Sequence, residues 1–351
     1  MSTKKMLIVL GLMIAVAVAI TACSTAGAAG PAGPAGPAGP AGPAGPAGAA
    51  APAAAVNAKD LTCTQCHNDT SLVSGKENTW STSVHGASAL VSPGVTVNQY
   101  AGGRAPCAAC HSGNGFAARI ASGTLTADVK VADPNPTRID CRACHEIHTT
   151  YTKDDFALRT VAPVKLEVLD ATFDGGMGNL CANCHQQRST FPAATDGKVK
   201  VDSTHWGGHH GPEAALLLGV GGAGGVVGQP GPHYTSVKDT CVGCHLGGAG
   251  PDASHTFMPV VATCVKCHAD AKSLDVNGKQ TEIKGKLDQV KKALQSKGLL
   301  DKNGTIVVGD YPEAQAAALW NYLFIVEDKS DGVHNIPFAN ALLDAALTAL
   351  K

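Results

Sequence analysis

One five-residue pattern recurs six times in the chain and constrains its folding more than any other feature. The copies are Cys63-Thr64-Gln65-Cys66-His67, Cys107-Ala108-Ala109-Cys110-His111, Cys141-Arg142-Ala143-Cys144-His145, Cys181-Ala182-Asn183-Cys184-His185, Cys241-Val242-Gly243-Cys244-His245 and Cys264-Val265-Lys266-Cys267-His268. They use every cysteine of the sequence except Cys23. Zinc ribbons use cysteine pairs two apart but require no histidine immediately after them. Disulfides suit an exported chain and are equally indifferent to that histidine. With 14 histidines in 351 residues, histidine following all six pairs by chance has odds of roughly 10⁻⁸.

Covalent haem attachment requires all three residues at this spacing. Two thiols add to the two vinyl groups of the porphyrin as thioethers, the two intervening residues set their reach on one helical turn, and the next histidine is directed at the iron. The motifs therefore predict six c-type haems, with thioethers from Cys63, Cys66, Cys107, Cys110, Cys141, Cys144, Cys181, Cys184, Cys241, Cys244, Cys264 and Cys267. His67, His111, His145, His185, His245 and His268 are the expected proximal ligands. From residue 57 onward this leaves roughly 49 residues per haem, so the porphyrins are expected to form much of the interior. Aromatic residues are only 4% of the chain, and the 41 Gly and 20 Pro make it loop-rich. The expected fold is mainly α with extensive loops, the haems as core, and little or no β-sheet.

A six-coordinate iron needs a second ligand from the opposite face, and a second imidazole makes it low-spin with no open position. His85, His148, His205, His209, His210, His233, His255 and His334 remain for this task. His148 follows His145 by three, on the same expected short helix, so it should serve a neighbouring haem. His85, His148, His233, His255 and His334 are the distal candidates, joined by one of His209 and His210, which the sequence does not separate. His205 reads as a spare. Arg142, Arg188 and Lys266 read as exposed charges, with pairing to haem propionates as the alternative.

Lys4 and Lys5 precede an apolar run from Met6 to Ile20, interrupted only by Gly11. That run is shorter than the roughly 20 residues of a membrane span and suits a signal peptide. It ends in Ile20-Thr21-Ala22-Cys23, which resembles the lipobox of bacterial lipoproteins. The resemblance implies cleavage after residue 22, lipidation of Cys23 and, with Ser24 next, sorting to the outer membrane. Residues 23–56 then form a linker in which Gly-Pro-Ala repeats from Gly30 to Ala47, read as a semi-rigid spacer reaching roughly 100 Å rather than as a collagen trimer. Residues 57–351 form the hexahaem domain. Its part 281–351 is helical, with three candidate helices at 281–298, 312–326 and 338–350, and delivers His334.

With 27 basic and 28 acidic residues, the chain presents no field suited to nucleic acid. It resembles bacterial multihaem cytochromes c, particularly the outer-surface electron-transfer cytochromes of metal-reducing bacteria. The likeness runs through Trp80…Ser83-Val84-His85, His145-Glu146-Ile147-His148, His209-His210-Gly211 and Ser254-His255-Thr256-Phe257. It implies an electron conduit rather than an enzyme, with other cytochromes and extracellular or periplasmic acceptors as partners and a lipid anchor on the membrane. Trp320-Asn321-Tyr322…Gly332-Val333-His334-Asn335 looks distantly like the last helices of pentahaem nitrite reductases, which use a lysine as proximal ligand of the catalytic haem. No Cys-x-x-Cys-Lys occurs here. A reductase of a small nitrogen or sulfur oxyanion with one open haem, and a subunit of a cytochrome filament, are the competing readings.

Overall fold

The apolar spacing near the C-terminus builds the most regular part of the molecule. Ala316, Leu319, Trp320 and Phe324 recur at three and four, and the run forms the helix Glu313–Asp328 with all four buried. Lys329 ends it with a φ of 61°. The next helix, Ile336–Ala349, starts where the Asn335 side chain accepts the Phe338 N–H, with Pro337 in its first turn, an arrangement that satisfies an otherwise orphaned donor. A third helix, Lys279–Ser296, packs Ile283, Val290 and Leu294 against them. These are the three helices expected from the sequence, shifted by about two residues at their ends.

The structure, a computed structural model, describes residues 73–123, 135–247 and 254–351. The expected signal peptide, Cys23, the linker and the first motif (Cys63, Cys66, His67) lie outside the described residues. Among the described residues, no helix is long and apolar enough to cross a membrane.

The remaining elements are short. Strand Lys198–Val201 pairs antiparallel with Gly309–Pro312, Val199 opposite Tyr311, and its alternate residues Val199 and Val201 turn into the core. Two further two-stranded ribbons join Leu90–Ser92 to Val95–Thr96 and Val164–Lys165 to Thr172–Phe173. The expected fold class is the observed one: mainly helical and loop-rich, with only these small sheets among the described residues.

Side chains fill the C-terminal part more completely than the composition suggests. Phe191, Trp206 and Trp320 meet edge to face, with Trp206 and Trp320 at 5.3 Å between ring centres. Trp320 Nε1 donates to the Gly221 carbonyl at 2.9 Å. Buried Asn321 binds both backbone groups of Ala223, and Asn335 holds the carbonyls of Leu216 and Gln229. Buried polar groups of this kind must be paired, and these pin the loop 219–231 over the helices. Phe191 and Trp206, from between the fourth and fifth motifs, are thus gathered onto Trp320 of the motif-free helix Glu313–Asp328.

The segment 73–160 is built differently. Its helices are Ser74–Ser81, Val84–Ala87, Val97–Tyr100, Ala108–His111, Gly113–Ser122 and Cys141–Cys144. Its small apolar cluster centres on Phe116 and Ala143 and includes Leu180 of the fourth motif's segment. Val84 and Leu90 are 69% and 68% exposed. Polar ties hold it instead: Trp80 Nε1 donates to the Ile139 carbonyl at 2.8 Å, and Ser83 Oγ accepts the Gly86 N–H at 3.1 Å.

Candidate functional site

Each described motif closes on itself in one helical turn. The histidine N–H donates to the first cysteine's carbonyl in His111–Cys107 (2.9 Å), His145–Cys141 (2.8 Å), His185–Cys181 (2.9 Å) and His268–Cys264 (2.8 Å), while the fifth motif is the helix Cys241–His245 itself. The turn carries both thiols and the imidazole on one short rigid unit. No described cysteine forms a disulfide. Among the described residues, no three His, Cys, Asp or Glu side chains converge on one point as zinc ligands would.

The five described motif histidines are each met by a second imidazole. His111 faces His209 with ring centres 6.1 Å apart, and His185 faces His85 at 6.1 Å. His145 faces His255 at 6.3 Å, His245 faces His334 at 6.2 Å, and His268 faces His233 at 6.3 Å. A metal about 2.0 Å from each of two coordinating nitrogens, with each ring centre about 1.1 Å further on, needs a separation near 6.2 Å. Edge-packed rings elsewhere, such as Phe191 on Trp206 at 6.2 Å and Phe324 on Phe338 at 6.4 Å, reach the same separation, so what sets these five pairs apart is that each joins a motif histidine to a histidine from outside the motifs. The residues fit iron held between two imidazoles.

Second partners orient several of these rings. His145 Nδ1 lies 2.7 Å from the Phe156 carbonyl, His245 Nδ1 2.8 Å from the Phe257 carbonyl, and His233 Nδ1 2.5 Å from the Val333 carbonyl. A carbonyl accepts only, so Nδ1 carries the proton and donates, leaving the Nε2 lone pair for a metal. His334 Nδ1 instead meets the Asp328 carboxylate at 2.6 Å, and His185 Nδ1 lies 3.3 Å from Glu213 Oε2. Burial, followed by the charge of His185, pushes the His85 pKa down to about 4. Burial and neighbouring His210 do the same for His209. Glu213 lifts His185 to about 9, and Asp328 lifts His334 to about 9 against the opposing effect of burial.

Sequence proximity predicts few of these partnerships. His85 lies before the second motif yet meets the fourth, and His255 lies just before the sixth yet meets the third. Of the adjacent pair, His209 faces His111, whereas His210 turns to Glu327 in an ion pair. A left-handed backbone at His209, with φ of 71°, separates the two directions. His205 is exposed and contacts Thr204. His148 stacks on Tyr151 at 5.6 Å. It does not share a helix with His145, because the helix ends at Cys144 and His145 is extended, bridging to Leu158. His148 instead sits in a turn with φ of 64°, tied by its N–H to Asp155 Oδ2 at 2.8 Å. Asp155 also accepts the N–H groups of Thr150 and Tyr151.

The second, third and fourth motifs line one cavity of about 2520 Å³ with His85, His209 and His255, against roughly 300–1,000 Å³ for a single small-molecule site. At its wall the motifs touch. Contact with Cys184, followed by the nearby charge of Arg188, holds the Cys110 thiol low, to about 6, and Cys181 likewise holds Cys241 at about 6. Arg188, expected as an exposed charge, is only 18% exposed: it binds Glu167 at 2.7 Å and reaches Cys110 Sγ at 2.7 Å. Arg119 binds the other oxygen of Glu167 at 3.0 Å. Arg142 and Lys266 do remain exposed.

Asp155, Glu213 and Asp328 escaped the sequence reading, because an isolated acid near a turn or helix end reads as a solvated charge. The one available signal is that Asp328 and His334 bracket the break at Asp331-Gly332.

No protein-family model matches the chain, and no curated protein matches it. Two solved structures are similar. The crystal structure of the outer cell wall cytochrome OcwA matches with a TM-score of 0.52 and 24% identity, over 79% of this chain and 50% of that one. The undecahaem cytochrome from the S-layer of Carboxydothermus ferrireducens matches with a TM-score of 0.43 and 18% identity, over 70% of this chain and 37% of that one. The chain spans about half the length of OcwA. The fold is that of a multihaem cytochrome.

Proposed function

We propose that this chain is an exported electron carrier holding six c-type haems, each ligated by two histidines, and that it is not itself a catalyst. The observation that carries the reading is the recurrence of facing imidazoles at 6.1 to 6.3 Å in the five described motifs. The motif cysteines would hold the porphyrins, with His111–His209, His145–His255, His185–His85, His245–His334 and His268–His233 as axial pairs. His148 is the remaining candidate for the partner of His67. When bound, haem iron supplies a one-electron couple.

The chain's own contribution is to keep each pair of rings in place with little freedom to move. Carbonyls fix the protonated nitrogen, and the helical turn fixes the motif histidine, so the ligand set is the same before and after a change of charge. Two imidazoles per site leave no position for a substrate, which favours a carrier over an oxyanion reductase. The signal-like N-terminus, the candidate lipidated Cys23 and the Gly-Pro-Ala spacer support attachment to the outer membrane, at the periplasmic or cell surface. Other cytochromes and extracellular acceptors are the partners of such a site.

Mass spectrometry of the mature protein under denaturing conditions, with the oxidised absorption and EPR spectra, tests the reading. The expected result is six covalent haems, all low-spin. A high-spin component near one haem in six would replace the carrier with an enzyme. Zinc, or no covalent pigment, would remove the haem assignment altogether.

A further inference from the structure

The described charges are unevenly placed along the sites, and the unevenness has a direction. At the second motif, two guanidiniums share one carboxylate: Arg119 and Arg188 bind opposite oxygens of Glu167, with side-chain exposures of 5%, 18% and 9%. Arg188 also reaches the sulfur of Cys110, and Arg119 crosses to the carbonyl and side chain of Asn183 inside the fourth motif at 3.1 Å. The group is therefore a net buried positive charge between the second and fourth motifs. Arg104 adds to the positive surroundings of His111.

The fifth motif has the opposite setting. His334, which faces His245, is backed by Asp328, whose side chain is fully buried, and Ser330 Oγ donates to the other oxygen of that carboxylate. Half-buried Glu213 lies between, beside His185 of the fourth motif and within electrostatic reach of His334. The fourth motif thus has a positive group on one side and a carboxylate on the other. It also adjoins both neighbours, through Cys184 beside Cys110 and Cys181 beside Cys241.

Reduction of a haem adds one negative charge at the iron. A buried guanidinium nearby favours the reduced form, and a buried carboxylate disfavours it, with little solvent to screen either. A carboxylate on Nδ1 also makes the imidazole a stronger donor, which favours the oxidised iron. We propose, on the reading of the motifs as bis-histidine haem sites, that Arg188 with Arg119, and Asp328 with Glu213, grade the second, fourth and fifth sites in falling order of reduction potential. An electron shared among the three then rests on the second site, which is reduced as the fifth is oxidised.

The test is a spectroelectrochemical titration of the full mature haem-loaded protein and of Arg188→Gln and Asp328→Asn. Arg188→Gln is expected to lower one component, the second site's, about tenfold in reduced-to-oxidised ratio at fixed ambient potential, about 59 mV for one electron, leaving the fifth site's component in place. Asp328→Asn is expected to raise a different component, of lower potential than the one moved by Arg188→Gln, by a similar amount and to leave that one unmoved. Arg188→Lys, which keeps the charge, should titrate as the parent. If either neutral variant loses haem, Glu213→Gln serves instead, with the lower components expected to rise. Variants carrying six low-spin haems that titrate as the parent, or shift in the reverse direction, overturn the grading. A parent protein without six low-spin haems fails the ligation reading itself, a different result in the same spectra.

Discussion

The two ends of the described chain solve the problem of an interior in different ways. Residues 279–351 bury a continuous set of side chains, among them Ile283, Leu294, Leu319, Ile325, Leu342 and Leu343, each almost fully inaccessible. Residues 73–160 bury few, and leave Val84, Leu90, Tyr100 and Tyr151 exposed around the walls of the large cavity. A segment with so little apolar burial of its own cannot offset its conformational entropy. The contrast teaches that the polypeptide folds one part and the cofactor, bound as proposed, completes the other.

The largest expected effect comes from withholding the cofactor. A chain with every motif cysteine replaced by alanine should lose amide protection across 73–160 while Lys279–Ser296, Glu313–Asp328 and Ile336–Ala349 remain protected in hydrogen exchange. Equal protection at both ends would break the comparison. Next, Leu319→Ala should cost about 2–5 kcal/mol in the haem-loaded protein, because the cavity forms where neighbours cannot collapse. A denaturant midpoint reads the loss, and the haem bands should be unchanged below it.

Acid should act on the rings around the large cavity. His85 and His209 are held near 4 by burial, against 6.5 for a free histidine. Between those values these two rings bind more protons in the unfolded chain than in the folded one, so their contribution to stability is complete above about 6.5 and falls as the pH drops towards about 4. Metal ligation has the same sign, since a ligating ring must be unprotonated. Denaturation midpoints at pH 7 and pH 4.5 should differ in that direction, with low-spin bands lost first. The smallest effect is expected from Trp80→Phe, which removes the bond to Ile139 at a cost of about 0.5–1.5 kcal/mol. It sharpens the contrast if the midpoint for 73–160 falls while that of the C-terminal helices does not.

The sequence makes the motifs proposed to attach haem fully legible and the facing of their histidines hardly at all. Cys-x-x-Cys-His is a local device, so its residues are adjacent in the chain and legible there. Facing imidazoles are matched through space, and His255 meeting His145 rather than its neighbour His268 has no linear signature. The three C-terminal helices were legible because one amphipathic period ran through each. The packing of Trp206 on Trp320 was not, since it depends on a loop and a helix more than a hundred positions apart. His209 and His210 differ only in a backbone twist that adjacent identical residues cannot encode by type. Asp328 and Glu213 needed the folded chain before their neighbours could be known.

The meeting of His334 with His245 has a consequence for biogenesis. On the proposed reading, a haem held by Cys241 and Cys244 would gain its second imidazole only after the much later residue His334 had been made and folded back against His245, so completion of that site would depend on the docking of the helix pair Glu313–Asp328 and Ile336–Ala349.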